Sequence, residues 1–223
     1  MRDIYCLTLF LLFLVMSGMQ VQKKEKVIFF GDSITNAGVK PGGYITLMQE
    51  KIKKDGGPDY ELIGAGIGGN KVYDLYLRFQ EDVLDKKPDV VVIYIGVNDV
   101  WHKQSNQTGT DPDKFVAFYT AMIKKLQASG IRVIVCTPAV IGERTDFSNS
   151  QDGDLNRYSQ MIRDLAAKYG CGLVDLRKAF LEYNLANNPG NKESGILTTD
   201  RVHLNPTGNQ LVADLMFKGL STK

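Results

Sequence analysis

The chain has 223 residues, 43% apolar and 23% charged, which suits one well-buried globular domain and excludes disordered or collagen-like classes. Twenty-seven Lys and Arg stand against 25 Asp and Glu, and a net charge of +2 argues against a nucleic-acid binder. Three cysteines exclude a disulfide scaffold, and two histidines with no Cys-x-x-Cys argue against a structural zinc site.

An apolar run over 6–16 is followed by Ser17 and Gly18 and then by the lysine-rich stretch 23–26. The run has the length of a signal-peptide core and is short for a bilayer span. Residues 1–20 therefore read as a secretory signal and 21–223 as one domain, exported to a secreted or periplasmic location. An uncleaved membrane anchor is the alternative. No other segment is apolar enough to insert stably in a membrane.

Beyond the leader, β-branched runs alternate with amphipathic stretches. A strand is predicted over 26–30, ended by Gly31. A helix follows over 42–55, with Tyr44, Leu47 and Ile52 apolar and Gly56-Gly57-Pro58 as its stop. A short strand over 60–63 precedes a helix over 72–84 whose apolar positions are Val72, Leu75, Leu77, Phe79 and Val83. The continuous apolar run 90–95 reads as a strand buried on both faces. Asp111 and Pro112 open a helix over 112–128 that Gly130 ends. A strand over 131–136, a helix over 155–169, a strand over 173–176 and a helix over 177–187 follow. Asn205-Pro206 opens a last helix reaching about 220. Five strand–helix alternations argue a parallel sheet covered by helices on both faces. In such sheets ligands lie beyond the C-terminal ends of the strands.

Three segments at such ends, and a fourth beside the start of the last helix, carry reactive or polar side chains. Gly31-Asp32-Ser33-Ile34-Thr35 places a serine at the mouth of the sheet. Its plain alternative is a turn. Gly64-Ala65-Gly66-Ile67-Gly68-Gly69 matches a dinucleotide-binding fingerprint, but no acidic residue follows at the end of the next strand. It reads instead as a glycine-rich turn that brings a backbone N–H into the site. Gly96-Val97-Asn98-Asp99 offers an amide donor, or else an ordinary Asx turn. Asp200-Arg201-Val202-His203 places an acid and a base three apart, so the carboxylate can hold the imidazole's tautomer.

Together these segments resemble the SGNH or GDSL hydrolases, over nearly all of the chain from Lys26 to the last helix. The resemblance implies Ser33 as nucleophile with Asp200 and His203 as its acid and base. It implies an oxyanion hole from the Ser33 and Gly69 N–H groups and the Asn98 side chain. A position often asparagine in the family is Gly64 here, which removes a supporting hydrogen bond. The implied fold is a three-layer α/β/α sandwich, flavodoxin-like, with a five-stranded parallel sheet in the order 2-1-3-4-5. The implied activity is hydrolysis of carboxylic esters through an acyl-enzyme, with no metal and no organic cofactor.

Trp101 and His102 follow the third segment and are expected on the rim of the site as substrate-binding residues, or else as residues packing their own loop. The polar stretches 40–43, 102–111 and 142–154 would overhang the site and offer no apolar lid. A small acyl group, acetyl, on a carbohydrate is therefore the expected substrate, a small-molecule or glycan ester. A lysophospholipase or thioesterase would share every catalytic residue. A non-catalytic carbohydrate-binding protein has no need of serine, asparagine, aspartate and histidine together. Cys136 and Cys171 should fall at opposite edges of the sheet and stay unpaired.

Overall fold

The computed structural model describes residues 24–56 and 60–222. The signal sequence read over 1–20 and the Gly57-Pro58 part of the first helix stop lie outside these residues.

The strands are β1 (Glu25–Gly31), β2 (Tyr60–Gly66), β3 (Val90–Tyr94), β4 (Arg132–Cys136) and β5 (Gly172–Val174). They form one parallel sheet in the order β2-β1-β3-β4-β5. All five residues of β3 are buried, as its unbroken apolar sequence requires with helices on both faces. Each fully buried Val, Ile or Phe of this kind contributes roughly 1.5–3 kcal/mol.

The helices are α1 (Ser33–Gly38), α2 (Tyr44–Asp55), α3 (Val72–Asp82), α4 (Val97–Ser105), α5 (Pro112–Ala128), α6 (Asp152–Tyr169), α7 (Leu176–Asn187) and α8 (Pro206–Ser221). From β1 the chain steps first to β2 and then back past β1 to β3. Right-handed crossovers therefore put α2 on one face and α3, α5 and α6 on the other. The packing agrees: α2 lies on α8, and α5 lies between α3 and α6. Helix α5 buries Phe115, Tyr119, Met122, Ile123 and Leu126 on one helical stripe. Gly170 closes α6 in the left-handed conformation, and the Asn205 side chain caps α8 by accepting from the Gly208 N–H.

Several predicted elements differ in detail. The helix expected over 72–84 ends at Asp82, and a 3₁₀ turn covers Leu84–Lys86. Leu77 in it is 79% exposed, because it lies two residues from both Leu75 and Phe79 and so faces the other way. Asp111 stands at the N-cap of α5 but its side chain makes no capping bond. Leu176 is not the end of a strand but the first residue of α7, and Asp175 caps that helix by accepting from the Lys178 N–H. Helix α4 was expected as a loop. Only Val97, Val100 and part of Trp101 give it an apolar face against the core, too few to show a helical period.

The glycine fingerprint is a packing device. Gly64 and Gly66 lie inside β2, and the next helix begins only at Val72. A Cβ on Gly66 would lie 2.2 Å from the Asn36 nitrogen, and one on Gly64 2.4 Å from Val39 Cγ1. Both glycines let α1 and the turn after it press on the strand. Cys136 and Cys171 are both free. Cys136 pairs in register with Val174, three residues past Cys171, which separates them by about 10 Å along the strands.

Candidate active site

The order of strands reverses between β1 and β3, and this is where an open α/β sheet forms its crevice. The segments after β1, β2 and β3 meet there. Asp32 ends the run out of β1, and its buried carboxylate accepts from the Ile34 N–H at 2.9 Å, capping α1. Ser33 is thereby the first residue of α1, where backbone N–H groups have no acceptor within the helix. Burial pushes the Asp32 carboxyl up to about 7.

After β2 the chain makes a tight turn in which the Asn70 N–H donates to the Ile67 carbonyl at 3.3 Å. Gly69 takes φ +76° in that turn, a conformation that favours glycine. A Cβ built on Gly68 would stand 4.0 Å from Ser33 Cβ, and one on Gly69 3.9 Å from His102 Cε1. After β3, Gly96 at φ +129° turns the chain into α4, whose first turn carries Asn98. Asn98 is buried and donates from Nδ2 to the Asn70 carbonyl at 3.1 Å. One hydrogen of that amide is thus engaged, and the other remains for a ligand. Asp99 is buried beneath it, accepts from the Val72 N–H at 3.1 Å, and is pushed up to about 6 by burial.

The fourth segment closes the site. Ser33 Oγ lies 3.0 Å from His203 Nε2, and His203 Nδ1 lies 2.7 Å from Asp200 Oδ2. The His203 N–H donates to Asp200 Oδ1 at 2.8 Å, so acid and base are locked in one turn. Partial burial works to raise the Asp200 carboxyl. The bonds from the His203 N–H and imidazole outweigh that and hold it below the usual carboxylate range. The turn is held from outside by buried Glu143. Its Oε1 accepts from the Leu197 and Thr198 N–H groups at 2.6 and 2.8 Å, and its Oε2 from the Ile196 N–H at 2.8 Å.

Trp101 and His102 lie on α4 rather than on a loop. The Trp101 ring meets His203 edge-on with centroids 6.4 Å apart, and His102 lies 5.7 Å from Trp101. Burial, with nearby Lys71, lowers the His102 pKa. Buried Gln151 holds α4 by donating to the Val100 carbonyl at 3.1 Å. Ser33, Gly69, Asn98, Trp101, His102, Asp200 and His203 are therefore brought together. Arg78, Lys71, Glu143 and Gln151 complete the setting and were not singled out in the sequence, because their partners are mostly main-chain groups. Among the described residues, no three His, Cys, Asp or Glu side chains gather as a metal site.

A serine bonded to an imidazole, itself bonded to a carboxylate, is an arrangement able to generate an alkoxide nucleophile. The Gly68-Gly69 turn lies beside Ser33, and the Asn98 amide is bonded to Asn70 in the same turn, so N–H groups of the kind that stabilise negative oxygen are close by. A model of the GDSL-like lipase/acylhydrolase family matches residues 29–211, and the chain belongs to that family. A solved acetyl xylan esterase, AlAXEase, is 66% identical, with a TM-score of 0.86 over 87% of this chain and 99% of its own. The acetylxylan esterase of Geobacillus stearothermophilus is 28% identical over 216 residues, 87% of this chain and 93% of its own. An uncharacterized lipoprotein of Bacillus subtilis, YqeF, is 28% identical over 229 residues, 92% and 93% of the two chains. The protein is a carboxylic ester hydrolase.

Proposed function

We propose that this family member is an exported acetyl esterase that removes acetyl groups from carbohydrate through an acyl-enzyme on Ser33. The observation that carries the reading is the continuous chain Ser33 Oγ, His203 Nε2, His203 Nδ1, Asp200 Oδ2, with links of 3.0 and 2.7 Å. His203 takes the serine proton as Ser33 Oγ attacks the ester carbonyl. Asp200 holds the tautomer and stabilises the imidazolium. The tetrahedral oxyanion accepts from the Ser33 and Gly69 N–H groups and from Asn98 Nδ2. His203 then returns the proton to the departing alcohol, and water repeats the sequence to free the acid.

The leaving alcohol must sit beside the group that protonates it. Trp101, edge-on to His203, therefore borders the alcohol side and offers a flat face to a sugar. His102 stands by Gly69, on the oxyanion side. The polar composition of 102–111 and 142–154 supports a short acyl group, since each methylene needs apolar cover to gain about 0.8 kcal/mol. The acetyl xylan esterases among the relatives support the same substrate class. Export is supported by the apolar run 6–16 and by a lipoprotein relative.

The test is a series of aryl esters from acetate to octanoate beside acetylated xylose, with Ser33→Ala as control. Acetate release from the sugar is expected, with Ser33→Ala lower by several orders of magnitude. Asn98→Ala should lose about 10²–10³ in kcat. Rates that climb from acetate to octanoate, with no acetate released from sugar, would assign the lysophospholipase or thioesterase activity instead.

A further inference from the structure

We propose that Arg78 is a positioning residue for ester cleavage, holding the ends of β1 and β2 and the Asn70 turn so that Gly69 and Asn98 face Ser33 together. The inference rests on the reading of Ser33 and Asn98 given above.

Arg78 is on α3, outside the four segments that carry the chemistry. Its side chain is only 15% exposed and is not paired simply as a surface ion. Nη2 donates to the Gly31 carbonyl at 2.8 Å and to the Ala65 carbonyl at 3.1 Å. Nε donates to Asn70 Oδ1 at 2.8 Å, and Nη1 to Asp82 on its own helix. The guanidinium also lies 4.5 Å from the centre of the Phe30 ring. Three of these acceptors belong to the site's own framework. Gly31 precedes Asp32 and Ser33. Ala65 is next to Gly66, at the close of β2. Asn70 directly follows Gly69.

The last contact leads to the reacting centre. The Asn70 side chain is held by Arg78, and the Asn70 carbonyl receives one hydrogen of the Asn98 amide. That bond sets the rotation of the amide, and hence where its second hydrogen points. The Gly69 carbonyl is held from the other side by Lys71 Nζ at 3.2 Å. Arg78 thus acts through Asn70 on Asn98 and through Gly31 on the serine segment, without touching the ester. A lysine keeps the charge but has no planar fork to reach three separate acceptors.

Arg78→Lys and Arg78→Ala are expected to lower kcat about 10–100-fold with KM changed less than about threefold, the cost of a displacement near 1 Å. Asn70→Ala, which removes the side-chain acceptor but keeps the carbonyl, should reproduce most of that loss. In an Asn98→Ala background the added loss from Arg78→Lys should be at least about threefold smaller than in the wild type, because the route through Asn70 is already gone and only the route through Gly31 remains. Guanidinium ion at about 20 mM should raise kcat of Arg78→Ala and leave Asn98→Ala unchanged, a response that general loosening of the fold does not give. Thermal unfolding of each variant fixes an assay temperature at which all are folded. Retention of kcat within about twofold in Arg78→Lys, or full additivity with Asn98→Ala, would overturn the assignment. If Ser33→Ala stays active, the reading of the site itself fails. If Ser33→Ala is inactive and the Arg78 variants are normal, only the positioning role fails.

Discussion

Replacing Glu143 with glutamine tests how the acid–base turn is held. The carboxylate is buried and accepts three backbone N–H groups, from Ile196, Leu197 and Thr198. The amide oxygen of glutamine can keep the two bonds made by Oε1, now without a full charge. The amide nitrogen then meets the Ile196 N–H, donor against donor. A buried unpaired donor costs about 1–3 kcal/mol, and loss of charge from the other two bonds adds about 1 kcal/mol. The sum is about 3 kcal/mol. For a chain of this size it corresponds to a fall in Tm of about 6–12 °C. Turnover should fall as well, since Thr198 Oγ1 accepts from the Arg201 N–H and the Thr199 N–H donates to the His203 carbonyl. Thermal unfolding and kcat on a small acetate ester read both effects. Glu193→Gln is the control, because Glu193 pairs with Arg144 and Arg201 at the half-exposed surface, where such pairs are worth about 0–1 kcal/mol. A Tm of Glu143→Gln within about 2 °C of wild type would refute the reasoning.

Asp32 and Asp99 carry carboxyls raised by burial to about 7 and about 6. In this range the folded state binds more protons than the unfolded state, so these two groups make stability fall as pH rises from about 4 to about 7. Asp32→Asn keeps a side chain able to cap α1 and removes the buried charge. It should raise Tm at pH 8 more than at pH 4, and an equal change at both would contradict this. Gly66→Ala places a Cβ 2.2 Å from the Asn36 nitrogen and should unfold the protein at lower denaturant by about 1–3 kcal/mol or more. Gly153→Ala, with open space in the first turn of α6, should gain up to about 0.5 kcal/mol in the same assay, and the opposite order would be decisive against the packing account. Phe147 is 96% exposed and sits at φ +66°, where asparagine is better tolerated. Phe147→Asn should gain about 1 kcal/mol, seen as a Tm rise of about 2–4 °C, and a lower Tm would show that the ring has a stabilising contact.

Ser33 and Asn98 were legible because each follows a strand that announces itself by apolar, β-branched letters. Ser33 follows the Val27–Phe30 run, and Asn98 follows the buried run of β3. Asp200 and His203 are close in the chain, so their partnership needs no tertiary information. The strand order came from the family resemblance, since apolar runs do not say which strand lies beside which. Helix α4 was missed because its outward face is polar and its inward face is only two valines and part of Trp101. The glycines of β2 misled in a different way. Their letters match a phosphate-binding turn, whereas their positions serve the close approach of α1. Arg78 and Glu143 were invisible because a carbonyl or an N–H has no letter of its own. A side chain that bonds to main chain leaves a pattern only in space.

The bond between Ser33 and His203 joins positions 170 residues apart, and the last helix begins three residues after His203. The Tyr44 N–H, at the start of α2, donates to Asn209 Oδ1 on α8 at 3.0 Å, and α8 lies along α2. In the proposed mechanism the nucleophile, Ser33, is made near the beginning of the chain and its base, His203, near the end. During synthesis the sheet from β1 to β5 can assemble while the serine has no base at all. Contacts of such long sequence separation are slow to form, because loop closure comes before any gain. On the proposed mechanism ester cleavage requires the contact of Ser33 with His203, so it cannot begin before the chain has been made as far as His203. A chain ended before Asp200 would keep Ser33 and lose both the imidazole and the carboxylate that the proposal assigns to it.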